Sequence, residues 1–166
     1  MTSAYQFRYF TEQDLAPLLP LTLELTDTLG VWGTPDSNTD EEEDGLTAMD
    51  HLVFNAPCPF YRYYICTRED KLVGFVWFGQ SDADRTEGFV DGLYVTPEHR
   101  RQGIALVLMK EALAWIKNAN CHSVTLLVNP KNKSAIRLYE GLGFTKKEDS
   151  EDTYALVFPV MNAKVQ

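Results

Sequence analysis

The chain has 166 residues, 45% of them hydrophobic, and a formal charge of −9 from 15 basic and 24 acidic side chains. A chain of this length buries about 70% of the surface its unfolded form exposes, so a core can form without a disulfide or metal. The acidic balance argues against nucleic acid and anionic membrane as partners, and no apolar run is long enough to span a bilayer.

Cys58, Cys66 and Cys121 form no CxxC pair, and His51, His99 and His122 lack metal-ligand spacing. That leaves neither a disulfide framework nor a zinc site, and a reducing, cytoplasmic setting is expected. The opening "MTSAYQFRYF" lacks the basic-then-apolar pattern of a signal peptide. One domain over residues 1–166 is expected.

Tyr5 to Phe10 reads as a short first strand. Thr11, with Asp14 three positions on, suits a helix cap, and Leu15, Leu18, Leu19 and Leu23 give an apolar stripe. Pro20 should break or kink that helix into two pieces before Thr28. Gly30 to Gly45 is an acidic, turn-rich loop, and a short helix is expected from about Thr47 to Asn55, closed by Pro57 and Pro59.

"FYRYYICTR", "ED" and "KLVGFVWFGQ" read as a hairpin turning at Glu69 and Asp70. "GFVDGLYVT" follows a short polar link, so these three strands should pair antiparallel. A long helix is expected from about Gly103 to Asn118, with Ile104, Val107, Leu108, Leu113 and Ile116 on its apolar side. "SVTLLVN" is apolar enough to be a strand buried on both faces, and strand, helix and strand in that order imply a right-handed crossover and a parallel pair. A shorter helix from about Lys133 to Glu140 should end at Gly141, and a terminal strand pair closes the chain. The expected class is α/β (α+β): a mixed, mostly antiparallel sheet with helices on both faces.

The chemistry is concentrated in "LYVTPEHRRQGIALVLMKEALAW". A strand ends at Val95, Pro97 turns the chain, and "RRQGIA" opens the long helix. The first turn of a helix presents unpaired N–H groups at the positive end of its dipole, which makes an anion site. Gly103 and the small Ala105 allow close approach to the backbone, and Arg100 and Arg101 add positive charge to an acidic protein. Together they describe a seat for a pyrophosphate.

"RRQGIA", Arg100 to Ala105, matches the Arg/Gln-x-x-Gly-x-Gly/Ala motif of the GNAT acetyltransferases, and "NPKNKSAIRLYEGLGF", Asn129 to Phe144, resembles the later motif of that family. The resemblance runs from Lys71 to the C-terminus. It implies a three-layer fold whose two central parallel strands, Gly88 to Val95 and Ser123 to Asn129, splay apart to admit the pantetheine arm of acetyl-CoA. By the resemblance, backbone groups of Leu93 and Val95 pair with that arm, and a bulge near Asp91 and Gly92 opens the gap. The N–H groups of Arg101, Gln102, Gly103, Ile104 and Ala105 take the pyrophosphate, with Arg100 beside them. Asn129 meets the pantetheine, and Asn132 and Ser134 lie near the rest of the cofactor. Tyr139 matches the tyrosine that protonates the leaving thiolate, and Asp91 is the first candidate for a base. A backbone N–H near Val95 is the expected donor to the thioester oxygen.

The implied activity is direct acetyl transfer from acetyl-CoA to a primary amine, with no metal and no covalent enzyme intermediate. Trp32, Phe60, Tyr61, Tyr63, Tyr64 and Trp77, with Asp36 and Asp40 to Asp44, suit a cationic acceptor carrying apolar surface. A small polyamine-like or amino compound is the first expectation and a peptide amine the second. Glu87 is a further acidic candidate. The alternative is an inactive acyl-CoA-binding sensor, and a homodimer is expected from the family and from open sheet edges.

Overall fold

The computed structural model describes residues 4–29, 60–149 and 153–160. The acidic loop with Trp32 and Asp36, the helix expected after Thr47, and Cys58 lie outside those residues. In chain order the elements are β1 (Gln6–Tyr9), a 3-10 turn (Glu12–Asp14), α1 (Leu15–Leu29), β2 (Tyr61–Arg68), β3 (Lys71–Gln80) and β4 (Glu87–Val95). A second 3-10 turn (Pro97–His99), α2 (Ile104–Asn118), β5 (Ser123–Val128), α3 (Lys133–Leu142), β6 (Thr145–Asp149) and β7 (Tyr154–Pro159) follow.

Seven strands form one sheet in the order β1-β2-β3-β4-β5-β7-β6. Every neighbouring pair is antiparallel except β4 and β5, which α2 joins as a parallel pair. The β2–β3 hairpin turns at Glu69 and Asp70, whose φ values of 52° and 60° match the left-handed turn that follows the strand twist.

Strand alternation sends side chains to two cores. Cys66, Val76, Phe78, Val90 and Val95 pack with Leu108, Met109, Ala112 and Ile116 of α2 and with Val124, Leu126, Val128, Tyr139 and Phe144. On the opposite face, Ile65, Phe75 and Tyr94 pack under Leu18 and Leu25 of α1. Helices therefore flank both faces of a mixed sheet.

α1 is continuous through Pro20, contrary to the expected break. Proline removes the bond to the carbonyl four residues back, that of Ala16. Ala16 and Pro20 are both exposed, so water can take that carbonyl, while Leu18 and Leu25 are held by the core. The entry to α1 is pinned as well. The Asp14 carboxylate accepts from both terminal nitrogens of the Arg8 guanidinium at 2.6 Å and from the N–H and hydroxyl of Thr11 at 2.8 and 2.9 Å.

Three further expectations change. Val107 is 41% exposed, and Met109 and Ala112 take the buried places on α2 instead. Gly143, at φ 99°, ends α3, and Gly141 lies within the helix. β5 is buried on one face only: Val124, Leu126 and Val128 point into the core, but Leu127 on the other face is 66% exposed.

Candidate active site

The parallel pairing of β4 and β5 runs from Glu87–Ser123 to Val90–Leu126 and stops there. Beyond it β4 stays with β3 as far as Val95, and β5 stays with β7 as far as Val128. Two central strands thus part at their carboxyl ends and leave a gap. The cause lies in β4. Trp77 faces Gly92 and Phe78 faces Val90, so Asp91 is an extra residue that bends the strand away from β5.

Register decides which backbone groups line the gap. The Thr96 N–H donates to the Val73 carbonyl at 2.9 Å. Alternation then turns the backbone groups of Tyr94 and Gly92 toward β3 and those of Leu93 and Val95 toward the gap. The Val95 carbonyl is already used, because Arg100 Nε donates to it at 2.8 Å while the guanidinium lies 5.7 Å from the Tyr94 ring centroid. Arg100 therefore ties the turn to the strand end, where sequence placed it on the pyrophosphate. The N–H of Val95 and both groups of Leu93 remain directed at the gap.

The turn from Arg100 to Gly103 brings left-handed backbone at Arg101 (φ 63°) and Gly103 (φ 80°) before α2 begins. A β-carbon at Gly103 would meet nothing within 4 Å, so space stands open above it. Among the described residues the N–H groups of Arg101, Gln102, Gly103, Ile104, Ala105 and Leu106 find no backbone acceptor. Six N–H groups at a helix start, preceded by left-handed turns, form an anion-binding concavity.

Asn129, Asn132 and Ser134 stand at the far lip, after β5. Asn129 Oδ1 accepts the Lys131 N–H at 2.8 Å, and Asn132 Oδ1 caps α3 by accepting from the Ala135 N–H at 3.1 Å and from Ser134 Oγ at 3.0 Å. Their carbonyl oxygens are committed to shaping the loop. The amide nitrogens of the two asparagines face no acceptor that competes for them among the described residues.

Tyr139 and Asp91 lie on opposite faces of the sheet. Tyr139 belongs to the core under α2 and α3, its ring centroid 5.9 Å from that of Phe144. Burial pushes its phenol up to about 12, so it keeps its proton at any working pH. Asp91 sits at the bulge on the α1 face. Its carboxyl is reachable by solvent, yet the surrounding protein displaces enough water to push it up to about 6.

Sequence grouped Tyr61, Tyr63, Tyr64 and Trp77 together. The strand period separates them. Tyr61, Tyr63 and Trp77 share the α1 face with Asp91, whereas Tyr64 lies on the other face with Phe7 and Tyr9. Phe89 belongs with the first set, 5.5 Å from Trp77, and the alternation Glu87, Phe89, Asp91 could have found it. Tyr94 was missed as well. Burial first, then the Glu24 carboxylate, raises its phenol to about 12. Among the described residues no group of acidic, His or Cys side chains could hold a metal, and no helix is long and apolar enough to cross a membrane.

A gap between splayed parallel strands, ending at a helix start rich in free N–H groups, agrees with the comparison to known proteins. The model of the acetyltransferase (GNAT) family matches residues 24–144. The chain belongs to that family. A mycothiol acetyltransferase of Thermobispora bispora is 31% identical over 114 residues, 64% of this chain and 39% of that protein. An N-alpha-acetyltransferase of Saccharolobus solfataricus is 35% identical over 115 residues, 59% of this chain and 69% of that protein. The matched stretch thus spans less than half the length of the mycothiol enzyme. The structure of yncA from Salmonella typhimurium with its cofactor acetyl-CoA superposes with a TM-score of 0.75, covering 99% of this chain and 98% of that one at 16% identity. At that identity the likeness is one of fold.

Proposed function

We propose that the chain transfers an acetyl group from acetyl-CoA to a primary amine, by direct attack of the amine on the thioester. The observation that carries this reading is the gap between β4 and β5, bounded by the unpaired N–H groups of the α2 start. Acetyl-CoA supplies the activated acyl group. Leu93 hydrogen-bonds its amide-bearing arm as a further strand would, and the N–H groups of Arg101 to Ala105 hold its pyrophosphate. Asn129 and Asn132 offer amide donors at the far lip.

The two titratable groups divide the proton traffic between the faces of the sheet. The entering ammonium must lose a proton before nitrogen can attack, and the Asp91 carboxylate, raised to about 6, is ionised and moderately basic at neutral pH. The new N–C bond forms as the C–S bond breaks; the leaving thiolate takes the phenolic proton of Tyr139, and the acylated nitrogen releases its second proton, which by way of solvent restores the phenol. The Val95 N–H stabilises negative charge on the thioester oxygen. Arg100 acts through Val95: by holding its carbonyl it anchors the end of the strand that carries these contacts.

The test is release of CoA from acetyl-CoA against a panel of amines, with cofactor binding followed separately by calorimetry. Turnover with an amine class, slowed about 30-fold in Asp91→Asn, is the expected result. Tight binding of CoA with no release against any amine would overturn the reading.

A further inference from the structure

On the face that α1 covers, β2, β3 and β4 carry a contiguous run of half-buried rings. Tyr63 and Trp77 are direct cross-strand partners and lie nearly parallel, 6.0 Å apart and 11° inclined. Tyr61 and Phe89 stand edge-on to Trp77 at 6.2 and 5.5 Å. The outer edge of the run is pinned, because the Tyr61 hydroxyl donates to Asp82 and Asp82 pairs with Arg85 at 2.7 Å. Asp91 closes the inner edge. The bulge sets it on this face, Gly92 beside it lies against Trp77, and its charge reaches the Tyr63 phenol.

These rings are more than sheet packing requires. α1 already covers Phe75 and Tyr94 with Leu18 and Leu25, and the ring run continues from that cluster back along β4, past the point where the gap begins, to Phe89. A molecule with several ammonium groups would want a matching series of carboxylates. Among the described residues the floor supplies Asp91, Asp82 at the outer edge is taken by Tyr61 and Arg85, and beyond Phe89 stands the exposed Glu87, where water and salt screen an ion pair to little value. An apolar body gains more from four rings than a methylene chain studded with charges does.

Resting on the acetyltransferase reading above, we propose that the acceptor is a primary amine borne beside an aromatic or bulky apolar group, which lies on Trp77 and Phe89 while the amine meets Asp91 where the gap begins. This moves the acceptor away from the polyamine-like compound that the acidic sequence suggested. A free aralkylamine and the amino terminus of a peptide beginning with Phe present the same chemistry, so the test keeps them apart.

The experiment measures kcat/KM at saturating acetyl-CoA for 2-phenylethylamine, a short peptide beginning with Phe, n-propylamine and spermidine. One of the first two should exceed both of the last two by about tenfold or more, the range that an apolar pocket discriminates; whichever leads identifies the source. Trp77→Leu and Phe89→Leu should each lower that ratio by about fivefold or more, with circular dichroism reporting that the variant is folded and two variants guarding against loss of one. Equal or better turnover of n-propylamine or spermidine would overturn the proposal and leave acetyl transfer standing. CoA binding without release against all four amines would remove both.

Discussion

The two faces of the sheet are built to different specifications. Beneath α2, Phe78, Leu108, Met109, Ala112, Ile116 and Val124 are wholly buried and aliphatic for the most part. Beneath α1 the closed core among the described residues is five side chains, and past it come part-exposed rings and a carboxyl at a strand bulge. Both cores carry the fold, while the part-exposed rings past the smaller one can be altered with less effect on folding. The gap between β4 and β5 opens to both faces, so a leaving group and an entering group can be served from opposite sides. Substitutions on the two faces should therefore separate in what they change.

The largest expected effect falls on the closed face. Leu108→Ala leaves a cavity in packed surroundings and should cost about 3 kcal/mol of stability in urea unfolding, with the KM for acetyl-CoA nearly unmoved. A loss below about 1 kcal/mol would mean the site collapses easily and the contrast between faces is weaker than drawn. Gly103→Glu comes next. Since a β-carbon there meets no protein atom, steric conflict within the fold is absent, and the penalty arises from negative charge at the anion seat and from φ 80°. CoA affinity by calorimetry should fall about a hundredfold, while Gly103→Asn, which tolerates left-handed backbone, should lose far less. Equal losses in the two variants would assign the effect to a side chain filling the open space above the turn, and not to charge or backbone strain.

Much of this division was legible before any coordinates. The strand–helix–strand order around "RRQGIA" gives the parallel pair, Gly92 marks the bulge, and the ED turn gives the hairpin. What escaped was decided by tertiary context. Pro20 is a local argument for a break, and it lost to the burial of Leu18 and Leu25 on either side. Leu127 reads as core in an apolar strand, yet burial depends on what covers each face, and composition does not carry that. Period-two sorting would have sent Tyr64 away from Tyr61 and Tyr63. The target of Arg100 was beyond reach, since two adjacent arginines before a helix look alike until the fold brings one to the Val95 carbonyl.

On the open face, Asp91→Asn tests the base. Below about pH 6 the native carboxyl is protonated and cannot accept the amine proton; above it the carboxylate can. The kcat/KM of wild type should therefore carry a limb near pH 6, and at pH 8 the variant should be about 30-fold slower, with that limb gone. Stability should move the opposite way. A carboxyl whose pKa is raised on folding binds more protons in the native state, so wild type loses stability as pH rises from about 4 to about 6. Asp91→Asn should melt higher than wild type at pH 7.5, and the difference should vanish near pH 4. A limb that persists in the variant would place the base elsewhere.

The smallest effect belongs to Tyr139→Phe, which removes one oxygen from a ring that the closed core still holds. Packing against Phe144 is preserved, and no hydrogen bond of the Tyr139 hydroxyl to a described residue is broken. Folding stability should stay within about 0.5 kcal/mol of wild type, and CoA affinity should be near normal. The expected loss is about tenfold in kcat, because water or the acceptor can deliver a proton to the thiolate less efficiently than a positioned phenol. An acyl donor with a more acidic leaving thiol needs that proton less. The ratio of wild type to variant should therefore shrink when acetyl-CoA is replaced by a thioester of lower leaving-group pKa. A constant ratio across donors would show that Tyr139 contributes by shape alone, and the closed face would then have no part in the chemistry.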